Sequence, residues 1–98
     1  MENFNQIINS ELPVVVDFYA DWCGPCQTMT PIVKAVAEKF KGKARVLKIN
    51  IDKNQSAAQH YGIRSVPTFM IFKKGEQKWK HSGTIDVRSL ERQIESLI

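Results

Sequence analysis

The stretch "ADWCGPCQ", residues 20 to 27, holds the only two cysteines of the chain, Cys23 and Cys26, with Gly24 and Pro25 between them and Trp22 in front. Three chemistries are open to such a pair: a bracing disulfide, a metal site, or reversible electron transfer. A brace stabilises by closing a long loop in the unfolded chain, and these cysteines close a very short one, so bracing explains them poorly. Zinc takes about four ligands. The remaining candidates, His60 and His81, are far apart in the chain and lack paired spacing, so no metal is expected. Electron transfer is left, provided that position makes one thiol reactive.

Position does so. An apolar run, "LPVVVDFYA", ends just before the pair and a helical pattern starts just after it, which puts the cysteines at a strand-to-helix junction. Pro25 falls in the first helical turn, where a missing N–H costs nothing and the fixed φ favours helix. Cys23 therefore faces free backbone N–H groups and the positive end of the helix dipole. That field is worth up to about 2 kcal/mol, and one pKa unit is about 1.4 kcal/mol, so a thiol that starts near 8.5 falls by about a unit or more, as is general for Cys-X-X-Cys pairs. Cys23 is the nucleophile on this argument. Cys26, one turn inward, has poorer access and keeps its proton until it is needed. A drop from ~8.5 to ~7 raises the thiolate fraction about fifteen-fold at pH 7, and the lower intrinsic nucleophilicity takes back about five-fold. Attack gains only a few-fold. The larger effect is that Cys23 leaves readily when Cys26 attacks a mixed disulfide.

The elements that must hold this pair are legible from periodicity. Residues 2 to 9 make a short helix with Phe4, Ile7 and Ile8 at helical spacing. The β-branched run after Pro13 reads as a strand buried on both faces. From Pro25 to about Lys41, Met29, Ile32, Val33, Val36, Ala37 and Phe40 recur at three- and four-residue steps, an amphipathic helix closed by Gly42 and kinked by Pro31. "ARVLKINI" is a second strand and "QSAAQHYG" a short helix. "PTFMIFKKGEQKWKHS" is a hairpin turning at Lys74, Gly75 and Glu76. Asp86 caps a last helix that presents Val87, Leu90, Ile94 and Leu97 on one face. The order αβαβαββα implies an α/β domain with a mixed central sheet and helices on both faces.

With 98 residues and 43% hydrophobic content, the chain is expected to be one domain, residues 1–98, with one packed core. A monomer is expected. Net charge is +4, but Lys and Arg are scattered among ten acids with no basic stripe, so no nucleic acid is expected as a partner. No run approaches the ~18 residues of a membrane span, and the start, "MENFNQIINSEL", has no signal-peptide character; a soluble cytoplasmic protein without membrane contact is expected.

"VVVDFYADWCGPC" followed in order by "KINID", "YGIRSVPTF", "FKKGE" and "SGT" closely resembles the thioredoxin family, from about Leu12 to the C-terminus. The resemblance implies a protein disulfide reductase. Its redox-active group is the Cys23–Cys26 disulfide, it binds no cofactor, and a thioredoxin reductase that draws on NADPH through a flavin restores the dithiol. The chain itself has no glycine-rich nucleotide fingerprint. Asp17 is odd on its own residues, a carboxylate in an apolar strand; burial raises its pKa, whereas an edge position would leave it ordinary. In the family the matching Asp assists deprotonation of the buried cysteine, here Cys26, through water, and Lys48 of "KINID" matches a lysine near that Asp. The family also implies a cis Val66–Pro67 bond against the cysteine pair, which leaves the Val66 backbone free for an extended substrate segment. The docking groove then comprises Trp22, Gly24, Pro25, Ile63, Val66, Pro67 and Gly83, and suits oxidised proteins in general. Trp79 is assigned to sheet packing.

Three departures from the family pattern stand out. The family usually has a short strand before the first helix; this chain begins at that helix, so four strands are expected, with "ARVLKINI" as an exposed edge. Tyr19 replaces a common tryptophan. Gln27 replaces a common lysine, which leaves the thiolates slightly less stabilised. Two rivals share the fold: a thiol oxidase or isomerase, which calls for a higher reduction potential and an export signal, and a non-catalytic module that only holds a partner in the groove.

Overall fold

The computed structural model describes residues 3–98. Its elements are α1 (Phe4–Ile8), β1 (Val14–Tyr19), α2 (Gly24–Lys39), β2 (Arg45–Asn50), α3 (Gln55–His60), β3 (Thr68–Lys73), β4 (Glu76–Ser82) and α4 (Val87–Glu95). They follow the order read from periodicity; of the first helix, residue 2 lies outside the described residues. The four strands run β2-β1-β3-β4, with β1 parallel to β2, antiparallel to β3, and β3 antiparallel to β4. β2 is an edge, as expected.

Alternation along β1 divides the core. Val14, Val16 and Phe18 pack with Ile8, Met70 and Phe72, and that face is covered by Phe4 and Ile7 of α1 and by Tyr61 and Ile63 just after α3. Val15 points the other way, with Ile71, into a layer made by Val36 of α2, its C-cap Phe40, and Leu90 and Ile94 of α4. Val14, Val15, Val16 and Phe18 are all sealed from solvent, so β1 is buried on both faces, the environment that an unbroken β-branched run suits. Trp79 packs half-buried against this second layer, which bears out its assignment to the sheet.

Local chemistry fixes the ends. Cys23 is the N-cap of α2, and Pro25 lies in its first turn. Pro31 does not interrupt α2; it sits on the exposed face, where the Gln27 carbonyl it leaves without a partner N–H can meet water. Gly42 turns the chain out of the helix at φ 84°. The hairpin turns on Lys74 (φ 54°) and Gly75 (φ 82°) alone, a two-residue link with positive φ at both positions, and Glu76 already belongs to β4. Asp86 caps α4 by accepting the Ser89 N–H at 3.0 Å. No helix among the described residues is long and apolar enough to cross a membrane.

Candidate functional site

Cys23 and Cys26 form a disulfide across the first turn of α2, with Cα atoms 5.3 Å apart. The Cys26 N–H donates to Cys23 Sγ at 3.1 Å, so one of the free donors of the helix end is aimed at that sulfur. On reduction the same donor and the dipole behind it favour a thiolate at Cys23 over one at Cys26. The expected difference in access is not seen. Cys23 is 3% exposed and Cys26 5%, because the disulfide draws both sulfurs into a small cluster with Ala20, edged by Tyr19, Ile51 and Val66.

Across from the sulfurs, the Val66–Pro67 peptide is cis, and Cys23 Sγ lies 3.6 Å from the Val66 carbonyl oxygen. Pro67 is buried, and its carbonyl accepts the Gly83 N–H at 2.8 Å, which brings Gly83 to the same loop. Gly83 has φ 98°, a conformation that side chains disfavour, and a Cβ there would meet nothing within 4 Å. The space beside Gly24 is equally open. Trp22 is 70% exposed, an unusual state for tryptophan, and projects next to the dithiol. Ile63 behaves differently from the other groove candidates: it is half-buried against the layer under α3, with its N–H bonded to Ala58 O at 2.8 Å.

Asp17 sits in the middle of the sheet at 2% exposure, so the edge alternative is excluded. It shares the face of Val15, beneath α2, and lies between Lys48 on β2 and Phe69 on β3 in register. Its Oδ1 has no hydrogen-bond partner among the described residues. Desolvation pushes its pKa from an ordinary 3.8 up to about 6, and the charge of Lys48 works against that rise. A carboxyl group that titrates near neutrality under the helix carrying the dithiol is equipped to take and return a proton.

Several side chains that shape the site escaped the sequence reading. Asp52 accepts the Trp22 indole N–H at 2.9 Å through Oδ2. Asn50, buried at the end of β2, holds that loop by accepting the Asp52 N–H at 2.9 Å, an Asx turn that an Asn two residues before an Asp could have signalled. Thr68 donates to Ser65 O at 2.7 Å and fastens the end of the cis-proline loop. No group of three or more His, Cys, Asp or Glu that could hold a metal exists among the described residues.

A dithiol at the N-terminus of a helix, packed on a mixed sheet and facing a cis-proline loop, defines a thiol–disulfide exchange protein. A family model described as Thioredoxin matches residues 1–96, and the chain belongs to the thioredoxin family. It is 55% identical over 85 residues to a thioredoxin of Rickettsia felis, covering 87% of this chain and 81% of that one. Identity to a thioredoxin of Porphyra purpurea is 46% over 93 residues, 95% of this chain and 87% of the relative. Among solved structures, a single-site mutant of a thioredoxin from Halobacterium salinarum NRC-1 superposes with a TM-score of 0.87 at 43% identity, covering 95% of this chain and 80% of that one. The fold is the thioredoxin fold, and the protein is a thiol–disulfide oxidoreductase, a disulfide reductase of the thioredoxin type. Family membership carries with it a redox-active disulfide, disulfide-containing substrates and a reductase partner.

Proposed function

We propose that residues 1–98 act as a single cytoplasmic, monomeric domain that reduces disulfides in many proteins. Cys23 thiolate attacks one sulfur of the target, a mixed disulfide forms, and the first target thiolate leaves. Cys26 gives its proton to Asp17 and attacks Cys23 Sγ; the second target thiolate leaves, and both electrons of the dithiol have passed to the target. Lys48 supports the anions in this step. Pro25 presets the helix end that activates Cys23, and Gly24 leaves room beside it. Trp22, Val66, Pro67 and Gly83 receive an extended substrate segment, with Ile63 at the rim. NADPH, through a flavin-containing thioredoxin reductase, restores the dithiol.

The observation that carries this reading is Cys23 Sγ poised between the Cys26 N–H at 3.1 Å and the Val66 carbonyl at 3.6 Å. The donor favours the thiolate, and the carbonyl belongs to backbone that an incoming strand can pair with. The test is to equilibrate the protein, with a chelator present, in graded dithiothreitol redox buffers and to read oxidation through Trp22 fluorescence. A potential well below that of glutathione is expected. A value near or above it would sink the reductase direction in favour of an oxidase or isomerase. Substitution of Cys23→Ser and Cys26→Ser should abolish turnover, whereas a module that only holds partners would keep its binding.

A further inference from the structure

Lys48 lies on the edge strand, exposed, with a flexible side chain that could sweep through solvent. It is docked instead: Nζ sits 4.6 Å from the centroid of the Tyr19 ring. Such a contact at an exposed site biases a lysine roughly two- to five-fold toward the docked position. Both side chains line a cleft of about 170 Å³ that reaches Cys26 and is completed by Ala20, Asp21, Gln27 and Thr30. Gln27 is neutral and turns its amide to Asp21 O at 3.4 Å, so Lys48 is the one cation among the described residues that line the cleft. The other elements around Asp17 bring no second cation to the cleft among the described residues, and Asp21 is the one opposing charge there. Phe69 on β3 is apolar, His81 on β4 lies one strand further away, and α2 brings only Cys26, Gln27 and Thr30 to the cleft. Asp21 stands in the cleft wall.

We propose that Tyr19 is a positioning residue for the resolving step: its ring holds the Lys48 ammonium at the cleft behind Cys26, where a fixed positive charge favours the anion shared between Asp17 and Cys26. One proton moves from Cys26 Sγ to an Asp17 carboxylate oxygen, and Lys48 favours the carboxylate before the transfer and the thiolate after it. No electron moves until Cys26 attacks Cys23. The inference rests on Asp17 as the proton acceptor.

The test follows the Asp17 carboxyl carbon by NMR in the oxidised protein across pH. Lys48→Met should raise the midpoint by roughly one unit, since it removes a charge next to Asp17 in register. Tyr19→Leu should raise it by roughly a third of that, in proportion to the lost docking bias. Tyr19→Phe keeps a ring and should leave the midpoint in place. In a Lys48→Met background Tyr19→Leu should add nothing. A midpoint unmoved by Tyr19→Leu overturns the proposal, and so does an equal shift in the Lys48→Met background, which would mark a packing effect. Should Tyr19→Leu fail to fold, Tyr19→Met takes its place. The pH profile of the rate of reducing a disulfide peptide separates the two levels. If Asp17→Asn leaves that profile unchanged, the role of Asp17 fails and this inference with it; if Asp17→Asn alters it while Tyr19→Leu leaves the midpoint fixed, only the positioning role fails.

Discussion

Replacing Asp17 by asparagine should stabilise the oxidised protein at neutral pH and slightly destabilise it in acid. The folded chain holds the Asp17 proton up to a pKa of about 6, whereas the unfolded chain releases it near 3.8. Between those values the folded state binds more protons, so the Asp17 contribution to stability falls as pH rises through the window and is constant above it. A gap of about two units corresponds to about 3 kcal/mol. Full burial means that solvent screening removes little of this. The substituted amide is neutral throughout. It adds a cost of its own, near 1 kcal/mol, but one that does not vary with pH. The measurable quantity is therefore the change in the stability difference between pH 4 and pH 7.5. About half a kcal/mol of the ionisation cost is already present at pH 4, so the difference should grow by more than 2 kcal/mol. With an m-value of about 1 to 1.5 kcal/mol/M in urea, the midpoint of the variant relative to that of the parent should rise by roughly 2 M, from slightly below it at pH 4 to above it at pH 7.5. Both cysteines are disulfide-bonded in this experiment and do not titrate. A difference that stays constant across this range would refute the account of Asp17 as a desolvated carboxyl, and with it the electrostatic basis for its role as proton acceptor.

Other outcomes are as definite. Asp52→Ala removes the acceptor that fixes the Trp22 indole, so the Trp22 emission should shift and disulfide reduction should slow a few-fold, with stability changed by less than about 0.5 kcal/mol. Gly75→Ala and Gly83→Ala each place a side chain at positive φ and should each cost about 1 to 2 kcal/mol in urea unfolding. Only the second should raise KM for a protein substrate, since Gly75 belongs to the hairpin turn and Gly83 to the cis-proline loop. Leu90→Ala empties a fully buried position under α4 and should cost about 2 to 5 kcal/mol, while the reduction rate of the protein that remains folded stays unchanged.

Much of this architecture is local and therefore legible before folding is considered. A β-branched run, a cysteine pair with proline in the first helical turn, a Lys-Gly turn between an apolar and a polar strand segment and an Asp before an amphipathic segment each act over a few residues. Their consequences, the extended β1, the Cys23 cap, the two-residue hairpin and the Asp86 cap, depend on backbone geometry that neighbours dictate. Other features need partners distant in the chain. Trp22 meets Asp52 thirty residues on, and Lys48 meets Tyr19 only because β1 and β2 pair in one particular parallel register. Ile63 turned inward because α3 left an apolar layer to be covered.

By itself, then, the sequence determined that a reactive dithiol stands at the start of a helix on an α/β scaffold, since spacing, capping and the helix dipole are short-range effects. Only the tertiary structure decided what surrounds the dithiol: how deeply Cys23 is buried, that Asp17 lacks a partner for Oδ1 among the described residues, and which cation faces it. Burial and the field at a carboxylate are sums over strands and helices brought together from across the chain, and no local pattern carries them.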